Sequence, residues 1–262
     1  MRILRKVPYI QRNLEKALKC VRIRVSEVKM KTLQEITDYY GPLLAKGAFE
    51  LGAIKLSTAD PFTWASGYRM PIYNDNRQFL ARADYRALIC DAFADMIDAL
   101  SLSDIDNIAG TATAGIPHAT SLADRLKKPL SYVRSSSKDH GMGHQIEGLG
   151  NSGSYEGAKV LIIEDLISTG SSSIKAVEAV RAAGGICNDC LAIFTYGLDK
   201  ASLAFAALSP ACSLHTILSY PVMIKTAVET GYITEEESES LSEWRSDPFG
   251  WGEKRGFHKE ER

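Results

Sequence analysis

Two adjacent carboxylates stand at the centre of the stretch VLIIEDLISTGSSS, residues 160–173, between apolar residues and a turn rich in hydroxyl side chains. Val160–Ile163 carries apolar β-formers without polar alternation, which predicts a buried strand of a parallel sheet covered on both faces. Glu164 and Asp165 are therefore expected at the carboxyl end of that strand. The turn at residues 168–172 precedes a helical pattern, so it offers backbone N–H groups and the positive end of a helix dipole to a phosphate.

The two carboxylates need a partner other than the phosphate, because like charges repel. Hydroxyl groups and divalent cations are the natural complements of carboxylate oxygens. A ribose 5-phosphate carries the hydroxyls and the phosphate together. The segment therefore predicts a binding site for a phosphorylated ribose.

The segment GTATAGIPH, residues 110–118, has glycines at the spacing of a nucleotide P-loop. Ile116 and Pro117 occupy the positions where a P-loop needs Lys followed by Ser or Thr, which argues against an ordinary Walker NTPase. The sequence also has no G-x-G-x-x-G that opens a helix after a strand, the main dinucleotide signature. A small-residue turn after a strand still suits an anion, although a tight strand-to-helix turn without a ligand favours the same residues.

The segment YVRSSSKDHGMGHQIEGLGNSGS, residues 132–154, combines cations with closely spaced glycines. Its cations are Arg134, Lys138, His140 and His144. This composition predicts a mobile lid that closes over an anionic substrate, and a merely solvated loop is the alternative.

Residues 61–80 offer groups for a flat, negatively charged ring. Tyr73, Asn74 and Arg77 could bind such a ring by stacking and by charge-assisted hydrogen bonds. Taken singly, each of these residues is equally typical of a core aromatic or a surface polar side chain.

Helical and strand patterns alternate along the chain. Helices are predicted at 31–56 with a break near Gly41 and Pro42, and at 84–100, 117–127, 174–183 and 199–242. Strands are predicted at 105–109, 130–134 and 160–163, with a strand pair or small flap at 61–80. The repeated order of strand, loop and helix predicts an α/β fold with a central parallel sheet flanked by helices.

The composition fits a globular enzyme of 262 residues with 45% hydrophobic content. A chain of this length can build one large domain that needs no disulfide bonds or structural metal sites for stability. Five cysteines, an odd number spread thinly, indicate a reducing compartment, and we expect a cytoplasmic protein. Cys187 and Cys190 form a lone C-x-x-C, which we interpret as buried reduced thiols. No run of about 18 apolar residues is present, so no membrane partner is expected.

The basic residues are concentrated at the N-terminus. Residues 1–29 carry nine Lys and Arg against two acids, a charge of +7, and the remainder carries −8. We interpret this segment as an ancillary extension, with Met30 a plausible alternative start; a transit peptide and a nucleic-acid arm are the alternatives. No nucleic-acid partner is expected.

The segments taken together resemble a known family. VLIIEDLISTGSS resembles the phosphoribosyl diphosphate (PRPP) motif of type I phosphoribosyltransferases. FTWASGYRMPIYNDNR, ATAGIPHATSLADRL and YVRSSSKDHGMGHQIEG are similar to segments of the orotate phosphoribosyltransferases, over roughly residues 31–200. The resemblance implies the type I fold with a small N-terminal hood. It also implies transfer of phosphoribosyl from PRPP to orotate with Mg²⁺, in a homodimer whose lid reaches the neighbouring subunit's site.

The resemblance also implies roles for individual residues. Glu164 and Asp165 would hold the ribose hydroxyls, and Thr113 to Gly115 would lie against the diphosphate. The implied PRPP-binding residues are Thr113, Ala114, Gly115, Arg134, Lys138, His140, Glu164, Asp165, Leu166, Ile167, Ser168, Thr169, Gly170, Ser171 and Ser172. The implied orotate-binding residues are Tyr73, Asn74 and Ser168, and the implied catalytic residues are Lys138, His140 and Asp165. Mg²⁺ would be held through PRPP, with Asp165 as the protein group nearest to it.

The chain departs from some family members at two positions. Ala65 and Ser135 stand where those members carry lysine, which leaves Lys138 as the one lysine of the lid. We therefore expect a larger share of the charge neutralisation to fall on Lys138 and Arg134.

Four segments are expected. They are the basic extension at 1–29, the N-terminal helices and hood at 30–80, the PRPP-binding core at 81–200 with its lid at 134–154, and a helical segment and tail at 201–262. Two other functions stay open on the residues alone: phosphoribosyl transfer to another base, such as uracil or a purine, and a non-catalytic PRPP-sensing regulator that binds nucleic acid through a basic surface.

Overall fold

The computed structural model of the protein describes residues 31–64, 66–135 and 145–260. The strands are β1 (Ile54–Leu56), β2 (Phe62–Thr63), β3 (Arg69–Met70), β4 (Ile72–Asn74), β5 (Asn107–Thr111), β6 (Leu130–Val133), β7 (Ile146–Glu147), β8 (Lys159–Ile167), β9 (Ile186–Thr195) and β10 (Ser213–Ser219). The helices are α1 (Leu33–Glu50), α2 (Ala83–Ala99), α3 (Gly115–Leu126), α4 (Ser171–Ala182), α5 (Asp199–Ala206), α6 (Tyr220–Glu229), α7 (Glu235–Ser246) and α8 (Trp251–Lys254), with a 3-10 helix at Asn76–Ala81.

The main sheet has the strand order β10-β9-β8-β5-β6-β7. Its strands are parallel except for β7, which runs antiparallel to β6 at one edge. The predicted parallel α/β architecture is confirmed. Because β5 and β8 are adjacent and parallel, the loops that follow them emerge side by side at the carboxyl edge of the sheet, where open α/β sheets bind their ligands.

Both faces of the sheet are covered, which explains the unbroken apolar run at Val160–Ile163 in β8. Leu161 and Ile163 belong to the core on one face, which includes residues of α1, α2 and α3. Val160 and Ile162 belong to the core on the other face, which α4 and α5 cover. A strand buried on both sides has no place for a polar alternate position.

The hood, residues 54–81, consists of the strands β1 to β4 and the 3-10 helix that follows them. β1 pairs antiparallel with β4, and β2 pairs antiparallel with β3. The strand pair predicted between residues 61 and 80 is therefore confirmed. The hood packs its apolar residues, among them Ile54, Met70 and Ile72, into the core that covers the α1 side of the sheet.

The first helix does not break at Gly41-Pro42 as expected. α1 runs through Pro42, starts with a capping box formed by Thr32 and Glu35, and ends at Glu50. Burial of Leu44 and Ala48 in the core stabilises the helix despite the proline, because tertiary packing outweighs local propensity. β1 then takes the end of the segment that was expected to be helical.

The expectation of a continuous helical segment at 199–242 is also wrong, because β10 lies within it. β10 pairs with the edge of β9, with Leu214 opposite Cys190. The backbone groups on that edge of β9 gain hydrogen-bond partners from β10, a requirement that the Ala-rich composition does not reveal. β8 is longer than expected and extends to Ile167, so the two acids lie inside it and not after it.

Four cysteines, Cys90, Cys187, Cys190 and Cys212, are buried and free. The buried position predicted for Cys187 and Cys190 is confirmed, and burial raises the pKa of the Cys190 thiol well above its usual value. Across the described ranges, no helix has the length and apolar character needed to cross a membrane.

Candidate active site

A cavity of about 560 Å³ opens at the carboxyl edge of β5 and β8, beneath the hood. Three segments form its wall: residues 112–114 after β5, residues 164–172 at the end of β8, and residues 74–77 of the hood. The lining residues are Asn74, Asp75, Arg77, Ala112, Thr113, Ala114, Glu164, Asp165, Leu166, Ser168, Thr169, Gly170, Ser171 and Ser172.

Most of the predicted site residues lie in this cavity, and a few do not. Ile167 is fully buried in the core beside α4, so only its backbone is available to a ligand. Tyr73 lies beside the cavity, is 39% exposed and packs at 5.9 Å against the ring of Phe62. Lys138 and His140 lie outside the described residues.

The turn at 168–172 has the form predicted for a phosphate cradle. Gly170 has a φ of +79° and caps the N-terminus of α4, a helix of 12 residues. Its left-handed conformation favours glycine, and a Cβ there would come within 3.3 Å of the Phe205 ring. The dipole of α4 and the first N–H groups of the helix therefore point toward the side where the cavity lies.

Glu164 and Asp165 occupy different environments although they are neighbours. Glu164 is 5% exposed, and its carboxylate accepts hydrogen bonds from the Asp165 N–H at 3.0 Å and from Ser173 Oγ at 3.0 Å. Burial, together with the nearby Asp165 carboxyl group, raises the pKa of Glu164 to about 8. Asp165 is half-buried. Of the two, Asp165 is the carboxylate placed to meet a ligand.

The loop after β5 is held close to β8. A Cβ on Gly115 would come within 2.4 Å of the Ile163 carbonyl oxygen and 2.5 Å of Thr111 Oγ1. Only glycine permits this approach of the α3 N-terminus to the sheet. The peptide between Ala112 and Thr113 is cis. Gly115 thus lets residues 112–114 line the same cavity as Glu164.

Arg134 lies next to the main cavity. It follows β6 and lines a smaller cavity of about 200 Å³ that shares Ala112 and Ser172 with the main one. The Arg134 guanidinium lies 3.6 Å from the Glu147 carboxylate. The backbone N–H of Arg134 donates to the Gln145 carbonyl at 2.9 Å. Arg134 and Gln145 are therefore joined by a hydrogen bond beside the site.

The hood contributes a charged pair that the sequence indicated only weakly. Arg77 is the one cation among the described residues that line the main cavity, and its Nε donates to Asp75 at 2.5 Å. Although burial opposes the effect, hydrogen bonds from Arg77 and Gln78 lower the pKa of Asp75. Arg77 is 62% exposed at its side chain, so part of its guanidinium is free to meet an anion.

Asn76 was missed by the sequence reasoning. Its side chain is 1% exposed, and its Nδ2 donates to the backbone carbonyl of Asp165 at 2.7 Å. The segment YNDNR shows polar residues at this position, but no local pattern reveals a partner 89 residues away.

The aromatic side of the hood is backed by the C-terminal region. Trp64, Tyr196 and Trp244 pack together with ring centroids 5.5 to 6.2 Å apart. The indole of Trp64 donates to the Ile72 carbonyl at 2.8 Å, and that of Trp244 lies 3.1 Å from Met70 Sδ. The hood is thus packed against aromatic residues from the C-terminal part of the described chain.

Comparison with known proteins identifies relatives of this arrangement. Residues 84–204 match the phosphoribosyl transferase domain family. The chain is 45% identical over 208 residues to an orotate phosphoribosyltransferase of Lactococcus lactis subsp. cremoris, which covers 79% of this chain and 96% of that protein. It is 46% identical over 210 residues to the orotate phosphoribosyltransferase of Bacillus caldolyticus, covering 80% and 98%.

The fold also matches a solved structure. The crystal structure of orotate phosphoribosyltransferase from Aeropyrum pernix is similar with a TM-score of 0.60 and 28% identity, over 73% of this chain and 99% of that chain.

Proposed function

Because the chain belongs to the orotate phosphoribosyltransferase family, we propose that the cavity between the hood and the sheet edge is its active site. The enzyme transfers the 5-phosphoribosyl group from PRPP to orotate, giving orotidine 5′-monophosphate and diphosphate, a step of pyrimidine synthesis. The observation that carries the assignment of the site is the meeting of the 168–172 turn, Asp165 and the hood around one cavity of about 560 Å³.

Each wall of the cavity suits one part of the substrates. The N-terminus of α4 receives the 5-phosphate, and the Asp165 carboxylate accepts hydrogen bonds from the ribose hydroxyls. Residues 112–114 and Arg134 face the diphosphate. The hood residues Tyr73 and Asn74, with Ser168 opposite, receive orotate.

The reaction needs charge stabilisation more than a nucleophile. Loss of diphosphate develops positive charge on C1 of the ribose and negative charge on the leaving oxygens, so cations around the diphosphate and the exclusion of water lower the barrier. Orotate is already an anion at neutral pH. Lys138 and His140 are proposed to neutralise the diphosphate and to donate a proton to its oxygen, with Arg134 at the rim as an additional cation.

Mg²⁺ is proposed as the cofactor. Among residues 31–64, 66–135 and 145–260 no group of three His, Cys, Asp or Glu side chains is arranged to hold a metal ion, so a cation here depends on substrate oxygens. The Asp165 carboxylate is a hard oxygen ligand of the kind that Mg²⁺ prefers, and it fits as the one protein contact. When bound with PRPP, Mg²⁺ would offset negative charge on the diphosphate.

We also propose that the enzyme works in the cytoplasm as a homodimer whose predicted lid reaches the partner's site, without nucleic-acid or membrane partners. The four cysteines of the described ranges are free and buried, which suits a reducing compartment.

The function is tested by following orotate absorbance with PRPP and Mg²⁺, with uracil and adenine offered as alternative bases. We expect orotate to be consumed, and chelation of Mg²⁺ to slow its consumption strongly. A purified protein that consumes uracil or adenine faster than orotate, or that consumes no base at all, would refute the proposal.

A further inference from the structure

A small cavity beside the main one brings together cations from two separate parts of the chain. It has a volume of about 200 Å³ and shares Ala112 and Ser172 with the main cavity. Arg134 and Ser135 line it from the end of β6, and Lys175 lines it from α4. Whole organic ligands usually occupy cavities of roughly 300–1,000 Å³, so this space suits one small anionic group such as a phosphate.

Lys175 is the cation of this cavity that has no other partner. It is exposed, and within the described ranges no carboxylate forms an ion pair with it. Arg134 differs, because its guanidinium lies 3.6 Å from the Glu147 carboxylate. Lys175 stands in the second turn of α4, and helical side chains lean toward the N-terminus of their helix. The Lys175 ammonium group is therefore available to an anion that lies between the two cavities.

The order of the strands indicates which phosphate this cavity receives. β5 lies between β8 and β6 in the main sheet. The turn proposed for the 5-phosphate follows β8, and the 112–114 loop proposed for the diphosphate follows β5. Because the small cavity is lined by the ends of β5 and β6, it adjoins the diphosphate side of the site.

The main cavity itself supplies little positive charge for the diphosphate. Among its described lining residues, Arg77 is the one cation, and its Nε donates to Asp75 at 2.5 Å. Diphosphate carries several negative charges, and negative charge develops further on its oxygens as it leaves the ribose. A fixed cation next to the 112–114 loop meets this need.

We propose that Lys175 binds the terminal phosphate of the PRPP diphosphate group, which enters the small cavity between the ends of β5 and β6. This inference rests on the proposed function and adds a cation that comes from α4 and not from the predicted lid. Because α4 packs on the sheet, Lys175 is in place whatever the position of the lid. It therefore stabilises the bound substrate and the transition state alike, and such uniform binding affects KM and not kcat.

Substitution of Lys175 tests the contact by steady-state kinetics. Lys175→Met removes the charge and keeps a long unbranched side chain of similar helix propensity. We expect the KM for PRPP to rise about 10-fold, with kcat and the KM for orotate changed less than about 2-fold. Lys175→Arg keeps the charge and should bring the KM for PRPP back toward the wild-type value. The matched control is Lys46→Met, at an exposed lysine of α1 that lines neither cavity, and its kinetic constants should not change.

Binding of the isolated anions distinguishes the two phosphate positions. In calorimetry with Mg²⁺, diphosphate should bind at least about 5-fold more weakly to Lys175→Met than to wild type. Ribose 5-phosphate should bind equally to both proteins, because the N-terminus of α4 holds the 5-phosphate. A loss for ribose 5-phosphate alone, or an equal loss for both anions, would overturn the proposal.

Moving the charge within the cavity tests its location. Ser135→Lys adds an ammonium group on the β6 side of the same cavity, so combining it with Lys175→Met should restore most of the diphosphate affinity. Failure to restore it would overturn the assignment of the charge to this cavity. An active wild type whose diphosphate affinity is unchanged in Lys175→Met would overturn the Lys175 contact alone. A wild-type protein that makes no orotidine 5′-monophosphate would instead overturn the proposed function.

Discussion

Glu164 and Asp165 show how two neighbouring carboxyl groups come to differ through their surroundings. Ser173 and the Asp165 N–H occupy the Glu164 carboxylate, and its burial keeps a proton on it near neutral pH. Asp165 is half-buried and lines the cavity. The buried carboxyl group avoids repulsion that a second charge beside a phosphate would cause.

The raised pKa of Glu164 predicts a pH dependence of stability. Because the folded protein holds this proton more tightly than the unfolded chain, the resulting stability is present below about pH 4.5 and is lost as the pH rises through about 8. Glu164→Gln mimics the protonated form. The difference in melting temperature between Glu164→Gln and wild type should therefore grow, in favour of the variant, as the pH rises from about 5 to about 8.5. Glu178→Gln, an exposed control on α4, should follow the wild type. Parallel melting curves for Glu164→Gln and wild type would contradict the prediction.

The proposed contact of Asp165 with the ribose predicts that Asp165→Asn weakens PRPP binding specifically. Asp165→Asn keeps one acceptor but removes the charge that attracts ribose hydroxyls and Mg²⁺. PRPP binding should weaken by about 1–3 kcal/mol, the range for a charge-assisted hydrogen bond, while orotate binding changes much less. Calorimetry with each substrate separately measures both values, and unchanged PRPP affinity would remove Asp165 from this role.

At the residue scale the sequence predicted that Glu164 and Asp165 lie at one site, and both line the cavity, but it did not distinguish their environments. The two carboxylates are equivalent in the sequence, and only the packing of Ser173 and the position inside β8 distinguish them. Asn76 could not be predicted, because its partner is a backbone carbonyl far along the chain. Contacts of this kind depend on tertiary structure that no local pattern encodes.

At the scale of elements, the C-terminal arm, residues 244–260, holds the hood. The Glu260 N–H donates to the Gly67 carbonyl at 3.0 Å, and its carboxylate accepts from Thr63 Oγ1 at 2.8 Å and from Arg69 at 3.2 Å. Gly67 has a φ of +82°, and a Cβ there would come within 2.2 Å of the Glu260 carbonyl oxygen. The β2–β3 turn is thus shaped to receive the end of the arm.

Removal of residues 259–262 should therefore loosen the hood. We expect a several-fold rise in the KM for orotate, on the order of 1 kcal/mol for partly exposed hydrogen bonds, with a smaller effect on the KM for PRPP. A matched truncation of residues 261–262 alone should leave both values near those of the full chain. Equal KM values for orotate in the two truncated proteins would show that the arm does not position the hood.

Elements with strong periodicity were predicted within a few residues, as for α2, α3 and α4. The errors fall where tertiary contacts override local signals. α1 continues through Pro42 because its buried face packs in the core, and β10 forms because an adjacent strand edge needs a partner. Neither requirement can be read from the residues of the segment itself.

At the scale of the whole molecule, the +7 segment at residues 1–29 precedes every position assigned to the site. Removing it should leave kcat and both KM values within about 2-fold of the full chain, since no matched motif is lost. Steady-state kinetics and sedimentation of the two proteins measure activity and assembly together. A large fall in turnover or loss of the dimer would show that the segment has a part in catalysis.

Lys138 is the lysine of the predicted lid, and its substitution tests whether the lid contributes to catalysis. Lys138→Ala should lower kcat at least about 10²-fold, roughly 2.7 kcal/mol, because Ser135 stands where some relatives of the family carry a second lysine. The KM for PRPP should rise much less, since an interaction formed mainly in the transition state affects kcat. Lys46→Ala, an exposed lysine on α1 that lines neither cavity, is the control, and its kcat should stay near wild type.

Mixing Lys138→Ala with Asp165→Asn chains then distinguishes a lid that acts on its own site from one that acts on the partner's. In a hybrid dimer with a shared lid, the site built on the Lys138→Ala chain has an intact cradle and receives the intact lid of the other chain. Random pairing should then restore about a quarter of wild-type activity, because half of the dimers are hybrids with one working site of two. If tagged pull-down confirms subunit exchange and activity does not recover, the lid acts within its own chain, and the shared-site dimer is wrong.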